Sequence, residues 1–383
     1  MSYYLLPKKT TSIDISPIFS QEQQQPCILP SLQTYLQVMK GQIKTFSNND
    51  ATHSGYNKPY SMDFFQKTVN PYEYIHSTVP GTKMSVSKLK PFSSHYYTFL
   101  EIAHTLNLFE TMYDRNIYTV LCGPNSKSIY DCIHNIRNHF NDTHKEVIIE
   151  TLSDNSSSLD DLQYLHSIDF MYFELEDYQY TNLNLCSLFM VKILQYLLNY
   201  QSKDGVSILK MQTFVYKPIL DVIYLLTSLY DKIYIIKPNT SNLCKDEVFI
   251  VCKQFNFSMD MIINYSKQLC SLYKHLSETN ANTNINPQSA LTSLVQPGLP
   301  YYFVNKIEEA AIIVGHQQLE MLELIINLVK NKNRDDKVES LKKTNLQKCI
   351  QWCEKYKIPH NKFVEKVNIF LNGVPANTDD TTT

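Results

Sequence analysis

The chain is predicted to be an α/β protein, with a mostly parallel sheet closed by an antiparallel edge hairpin and followed by a helical C-terminal extension. Three observations predict it. From Tyr118 onward, short β-branched and aromatic runs alternate with helical stretches, the signature of crossover units on a parallel sheet. The last two strand-like runs are joined by KPNTSNLCKD, which is too short for a crossover helix and suits an antiparallel pair. Beyond residue 258 the strand-like runs stop and the apolar spacing becomes helical.

Residues 1 to about 70 are polar, with a glutamine run at Gln23 to Gln25 and prolines at 26 and 30, and read as an arm carrying one short helix around Leu32 to Met39. Little catalytic content is expected there. Ile117 to Cys122 is the first strand of the sheet; the turn Gly123-Pro124-Asn125 and a helix through Ile129, Ile133, Ile136 and Phe140 follow. Val147 to Leu152 and Ile168 to Phe173 are the next strands. A long apolar helix, Leu183 to Leu198, leads into the strand Val206 to Met211, which implies a sheet buried on both faces. Pro218 opens a helix that runs to Leu229, and the strands Lys232 to Ile236 and Glu247 to Cys252 complete the hairpin. Met259 to Ser277 is predicted helical and residues 280 to 288 a loop. Leu319, Leu322, Ile326 and Val329 mark the apolar stripe of a further helix. The basic stretch Lys330 to Lys348 reads as a solvated helix face, and the tail NTDDTTT as disordered.

Composition narrows the function classes. The 383 residues are 43% hydrophobic and 19% charged, which fits a globular protein with a large core and excludes collagen, coiled coil and wholesale disorder. With 35 basic against 37 acidic residues there is no global basic field, so any nucleic-acid contact must be a local patch. Nine scattered cysteines, mostly inside apolar runs, read as free thiols of a reducing compartment. No secretory signal is recognised at the N-terminus. Leu183 to Leu198 spans too few residues to cross a bilayer and is interrupted by Lys192 and Gln195, so no membrane segment is predicted. Only 8 glycines are present, leaving little material for phosphate-cradling loops. The GPNSKS turn lacks the glycines of a P-loop, and Cys349 and Cys353 lack partners for a structural zinc, so no metal is predicted.

The segment Ser207 to Phe255 resembles the FtsJ-like family of S-adenosylmethionine-dependent RNA ribose 2'-O-methyltransferases. The matching features occur in order: a strand ending in Lys210, the following helix, the strand-Lys-Pro corner at Lys237-Pro238, a Ser/Asn-rich loop, and the acid-opened strand from Glu247 to Val251. Val79 to Ile102 and the stretch GHQQLEMLELIINLVKNKN look similar to family members from large cytoplasmic DNA viruses. The resemblance covers roughly residues 70 to 355. It implies a Rossmann-like methyltransferase domain over 76–258, which the composition and apolar spacing flank with an N-terminal arm over 1–75, a helical extension over 259–375 and a disordered tail over 376–383. It further implies S-adenosylmethionine as cofactor, RNA (capped mRNA above all) as substrate, partners in a viral transcription or virion assembly, and residence in the host cytoplasm or the virion.

The family pattern is Lys, Asp, Lys, Glu, because a ribose 2'-hydroxyl must lose its proton as it attacks the sulfonium methyl. Lys210 falls at the third position as base and Glu247 at the fourth. Glu174 stands at the second, where the family has Asp. Alignment of HYYTFLEI puts Thr98 at the first, so Lys88 or Lys90 is expected to supply the missing positive partner. For the cofactor, Gly123 matches the glycine-rich turn with Pro124 and Asn125 beside it, while Leu121 or Cys122 stands where the family has an acid. Glu150, at the end of the second strand, is placed to accept hydrogen bonds from a ribose. The degenerate turn and Thr98 point to a second reading, a catalytically inactive member that keeps the fold as an RNA-binding or protein-interaction module.

Overall fold

The structure, a computed structural model, describes residues 2–21, 24–52, 61–113, 115–138, 145–149, 165–180, 182–256, 258–281, 290–296, 298–331 and 334–363. Its centre is a seven-stranded sheet. In chain order the strands are β1 (Ser2–Leu5), β3 (Tyr118–Cys122), β4 (Lys145–Ile149), β5 (Ile168–Glu174), β6 (Gln201–Met211), β7 (Tyr230–Lys237) and β8 (Val248–Phe255); β2 (Ile15–Ser20) and β9 (Ala290–Val295) pair elsewhere. Across the sheet the order is β1-β7-β8-β6-β5-β3-β4. β4, β3, β5 and β6 run parallel, and β8 is inserted antiparallel between β6 and β7. This is the mostly parallel α/β sheet with an antiparallel hairpin that the sequence predicts, with helices following in the C-terminal region.

The strands form where continuous apolar runs can be buried on both faces. Every residue of β5 is buried. Alternate side chains serve opposite faces, as the two-residue period of a strand requires. Val120, Met171, Phe173, Leu209 and Ile250 meet a cluster containing α5 (Leu183–Tyr200) and α6 (Lys217–Leu229). Leu121, Phe170, Tyr172, Ile208 and Phe249 join the other cluster, with α3 (His95–Leu106), α4 (Ser126–Arg137) and Trp352 of α9 (Arg334–Lys355). In α6 every residue from Pro218 to Leu229 is buried, and its proline occupies the first turn, where no amide hydrogen is needed.

Two expectations are corrected. The arm holds more than one short helix: α1 spans Pro30–Thr52, α2 spans Met62–Val69, and β1 adds to the outside of β7, pairing Ser2 with Lys237 and Leu5 with Tyr234. β1 thus covers Tyr234 to Lys237 of the hairpin and leaves a strand of only four residues as the sheet edge on that side. Nor do strands stop at residue 258. β9 pairs antiparallel with β2, and the fully buried Asp221 of α6 holds it by accepting from Ser293 Oγ at 2.9 Å and Leu294 N at 2.6 Å. The three extra strands, β1, β2 and β9, span only four to six residues each, and the β2–β9 pair is broken by register shifts, so the sequence does not announce them.

The C-terminal helices are α7 (Met259–Ala281), α8 (Tyr301–Lys330) and α9. By length and composition alone α8 could cross a membrane. In this fold it packs Leu322, Ile325 and Leu328 against Leu36, Met39 and Phe65 of α1 and α2, a third core beside the sheet. Most of the predicted loop over 280–288, the strand end from Glu150 to Leu152, Phe140 of the predicted helix and the tail over 376–383 lie outside the described residues.

Candidate active site

Four side chains from four separate elements meet at the carboxyl ends of the parallel strands. Glu174 is the last residue of β5, and its partner in the parallel register is Lys210 near the end of β6. Glu247 immediately precedes β8, and His95 is the first residue of α3. Lys210 Nζ lies 2.6 Å from Glu174 Oε1, 3.4 Å from Glu247 Oε2 and 2.6 Å from His95 Nε2. The Lys210, Glu174 and Glu247 side chains are only 11%, 5% and 11% exposed, so these charges depend on one another. Removing one would leave an uncompensated charge out of water.

Each carboxylate has its own support. Asn125 Nδ2 donates to both Glu174 oxygens, at 2.9 and 3.1 Å. Glu247 Oε1 accepts from the Asn242 amide at 3.0 Å. Beneath Glu247 the buried Lys237 donates from Nζ to the Glu247 carbonyl at 2.6 Å, the Lys245 carbonyl at 2.9 Å and the Asn242 carbonyl at 3.2 Å. One ammonium thus folds the whole loop from Pro238 to Glu247 around itself. Burial pulls the Lys237 amine down to about 8 against the pull of Glu247. Burial alone would raise the Glu247 carboxyl, but the Lys210 and Lys237 charges outweigh it and hold the carboxyl below its ordinary range. For His95, burial and then the adjacent Lys210 charge lower the imidazole, so it is neutral at physiological pH. A lysine ammonium can only donate, so Nε2 accepts from Lys210 and the ring carries its proton on Nδ1, which faces Ser93 Oγ at 3.5 Å.

The structure thus brings Lys210, Glu174 and Glu247 together and adds His95, which the alignment missed by one helical turn. Thr98 lies inside α3 and meets Thr240 Oγ1 at 3.5 Å instead. The position of His95 at a helix start, one turn before the aligned residue, is the signal that could have found it. Lys88 and Lys90 do not supply the positive partner. The backbone of exposed Lys88 is held by the Pro359 carbonyl at 2.8 Å, and Lys90 Nζ donates to Ser85 Oγ at 2.5 Å; neither lines the cavity at Lys210. The segment is pinned there by the bridge between Ser87 and His360.

The four side chains border a cavity of about 710 Å³. Pro124 and Asn125 form one wall and Glu174, Glu176 and Asp177 another. Gly123 adopts φ +122°, and a Cβ there would lie 2.5 Å from the Glu174 carbonyl oxygen, so its missing side chain serves contact between turn and strand. Cys122 stands in the acid's place, its thiol pushed up to about 12 by burial and hence neutral. Glu150 lies outside the described residues. The turn alone is a poor cradle, yet the cavity fits S-adenosylmethionine in size and charge: its carboxylate-rich walls suit a positive sulfur and an α-ammonium. Pro124, Asn125, Glu174 and Glu176 are the residues that would hold it. Among the described residues no group of three His, Cys, Asp or Glu could hold a metal ion.

No protein-family model matches the chain. No curated protein matches it. Solved structures similar to it include a Plasmodium falciparum protein described as a ribosomal RNA methyltransferase, 17% identical with a TM-score of 0.33, over 43% of this chain and 97% of that one. Another is human methyltransferase-like protein 13 in complex with SAH, 13% identical with a TM-score of 0.30, over 48% of this chain and 93% of that one.

Proposed function

We propose that the chain is an S-adenosylmethionine-dependent RNA ribose 2'-O-methyltransferase of the FtsJ-like kind, acting near the cap of mRNA in the cytoplasm infected by a large DNA virus. The observation that carries the reading is the Lys210 amine, held between two carboxylates at the edge of a cavity on the carboxyl side of a parallel sheet, where open α/β sheets place their ligands. When bound, the cofactor would supply an electrophilic methyl group on positively charged sulfur. Lys210 Nζ first gives up one of its own protons to water; as the 2'-oxygen bonds to the methyl and the methyl's bond to sulfur breaks, the hydroxyl proton passes to that freed amine. Glu174 and Glu247 fix the direction of the amine and stabilise the ammonium that results. His95, neutral, accepts one N–H of that ammonium and leaves the two carboxylates in charge balance with Lys210 and Lys237.

A specific observation favours a second reading, a silent family member retained as an RNA-binding or protein-interaction subunit of a viral transcription or capping assembly. Asn125 closes the turn onto Glu174, and a neutral Cys122 replaces the acid. Calorimetric titration with S-adenosylhomocysteine separates the two. Binding in the micromolar range supports the enzyme, and no heat at millimolar ligand leaves only the silent subunit.

A further inference from the structure

A second cavity, of about 740 Å³, adjoins the first. Lys40, Tyr180, Gln212 and Asp246 line both, so the two are compartments of one cleft. Tyr180 joins them physically, because its hydroxyl donates to the Lys210 carbonyl at 3.4 Å. The compartments differ in chemistry. Around Lys210 the walls are carboxylates and amines. In the second cavity the charges are Lys40 and Asp246, paired at 2.6 Å at the shared boundary.

The rest of that wall is carboxamide, aromatic and aliphatic. Gln33 and Gln37 come from α1, Gln318 from α8, and Asn182 and Asn184 from the start of α5. Several of these amides are fixed by one end: Gln318 donates to the Cys244 carbonyl at 2.9 Å, and Asn184 Oδ1 accepts from Leu291 at 3.0 Å. An amide held at one end has its other end set in orientation, ready for a partner of defined geometry. Phe214 and Tyr216 supply flat faces, and Leu36 and Val314 supply aliphatic ones. The arm, through Gln33 and Gln37, and α8, through Gln318, complete a compartment whose other walls are the start of α5 and the segment after β6.

We propose that the second cavity is a nucleobase pocket, which holds an uncharged base of single-stranded RNA next to the nucleotide presented to Lys210. It rests on the reading of the first cavity as a site for an RNA ribose. A planar heterocycle with donors and acceptors on its edge is the ligand class that matches fixed amides around aromatic faces. The balanced ion pair and otherwise neutral lining favour an uncharged base over a cationic methylated guanine.

The test is fluorescence anisotropy of the full chain with labelled five-nucleotide RNAs and with an abasic RNA of the same length and charge. The same phosphate charge in both probes removes the electrostatic contribution from the comparison. Thr213→Trp fills the cavity from a residue that lines only this compartment. Paired Gln33→Leu and Gln37→Leu keep the shape, remove the amides, and lie on the less buried side of α1, which guards against misfolding. The expected result is about tenfold tighter binding of base-bearing than abasic RNA, lost in both variants. Equal binding of the two probes, or wild-type affinity in both variants, overturns the pocket. Base-dependent binding without any methyl transfer keeps the pocket and removes the enzyme; methyl transfer with unchanged RNA KM in both variants does the reverse.

Discussion

His95 Nε2 lies 2.6 Å from Lys210 Nζ, so an imidazole stands beside Lys210 where the resemblance leads to the expectation of a second lysine. The difference has a chemical consequence. A lysine there adds charge, whereas His95, lowered by burial and by the Lys210 charge, is a neutral acceptor that becomes a cation only in acid.

Activity is therefore expected to fall as pH drops below the ordinary histidine value of 6.5, when His95 gains a proton beside the Lys210 ammonium. His95→Ala should lower the rate by about tenfold to a hundredfold at pH 7.5 and remove that part of the acid limb. A pH–rate profile of both proteins checks it; an identical acid limb in the variant would remove the assignment.

Lys237 is expected to set both the stability of the loop and its pH dependence. Its folded value of about 8 lies below the ordinary 10.5, so between those values the unfolded chain holds a proton that the folded chain has released. Stability should rise with pH across that window. Lys237→Met strips the donor from three loop carbonyls, costs about 1–3 kcal/mol at pH 7 and abolishes the alkaline gain. Urea unfolding at pH 7.5 and 9.5 measures both effects.

Gly123 is expected to tolerate no side chain. Its φ of +122° is strained for any L residue, and an alanine Cβ would sit 2.5 Å from the Glu174 carbonyl oxygen and 2.7 Å from Glu174 Cβ. Gly123→Ala should lower stability by about 1–3 kcal/mol and shift Glu174 away from Lys210. Gly41, with nothing within 4 Å of a built Cβ, is the control position, where alanine should cost nothing.

Asp221 should anchor the small second sheet. Fully buried, it accepts from Lys217 Nζ, from Ser293 Oγ and from the Leu294 amide. Asp221→Ala takes the carboxylate away from Lys217, which keeps Ser293 Oγ at 3.0 Å, and from the buried Leu294 amide, and should cost about 3–5 kcal/mol. Hydrogen exchange should then quicken in Ala290–Val295 and Ile15–Ser20 while β5 and β6 keep their protection.

The central sheet was legible because its strands are continuous apolar runs between turn residues; Ile168–Glu174 could hardly be anything else once both faces are covered. The junction of Lys210 with Glu247 and Glu174 was legible through the resemblance, and the parallel register of β5 and β6 is what sets Glu174 beside Lys210. β1 and β9 were not, because strands of four and six residues that pair with distant segments carry no local signature. His95 was missed for a geometric reason. His95 and Thr98 differ by one turn of α3, and only the packing of that helix against the Thr240 loop decides which of them reaches the cleft.

The central claim is that Lys210 takes the proton of a ribose hydroxyl. Its most direct test is transfer of labelled methyl from S-adenosylmethionine to capped RNA by the wild-type chain and by Lys210→Ala, with nuclease digestion to locate the label. The account predicts 2'-O-methylated nucleotide from the wild type and at least about a hundredfold less from the variant. Label on a base instead of the ribose, or undiminished transfer by Lys210→Ala, would contradict it.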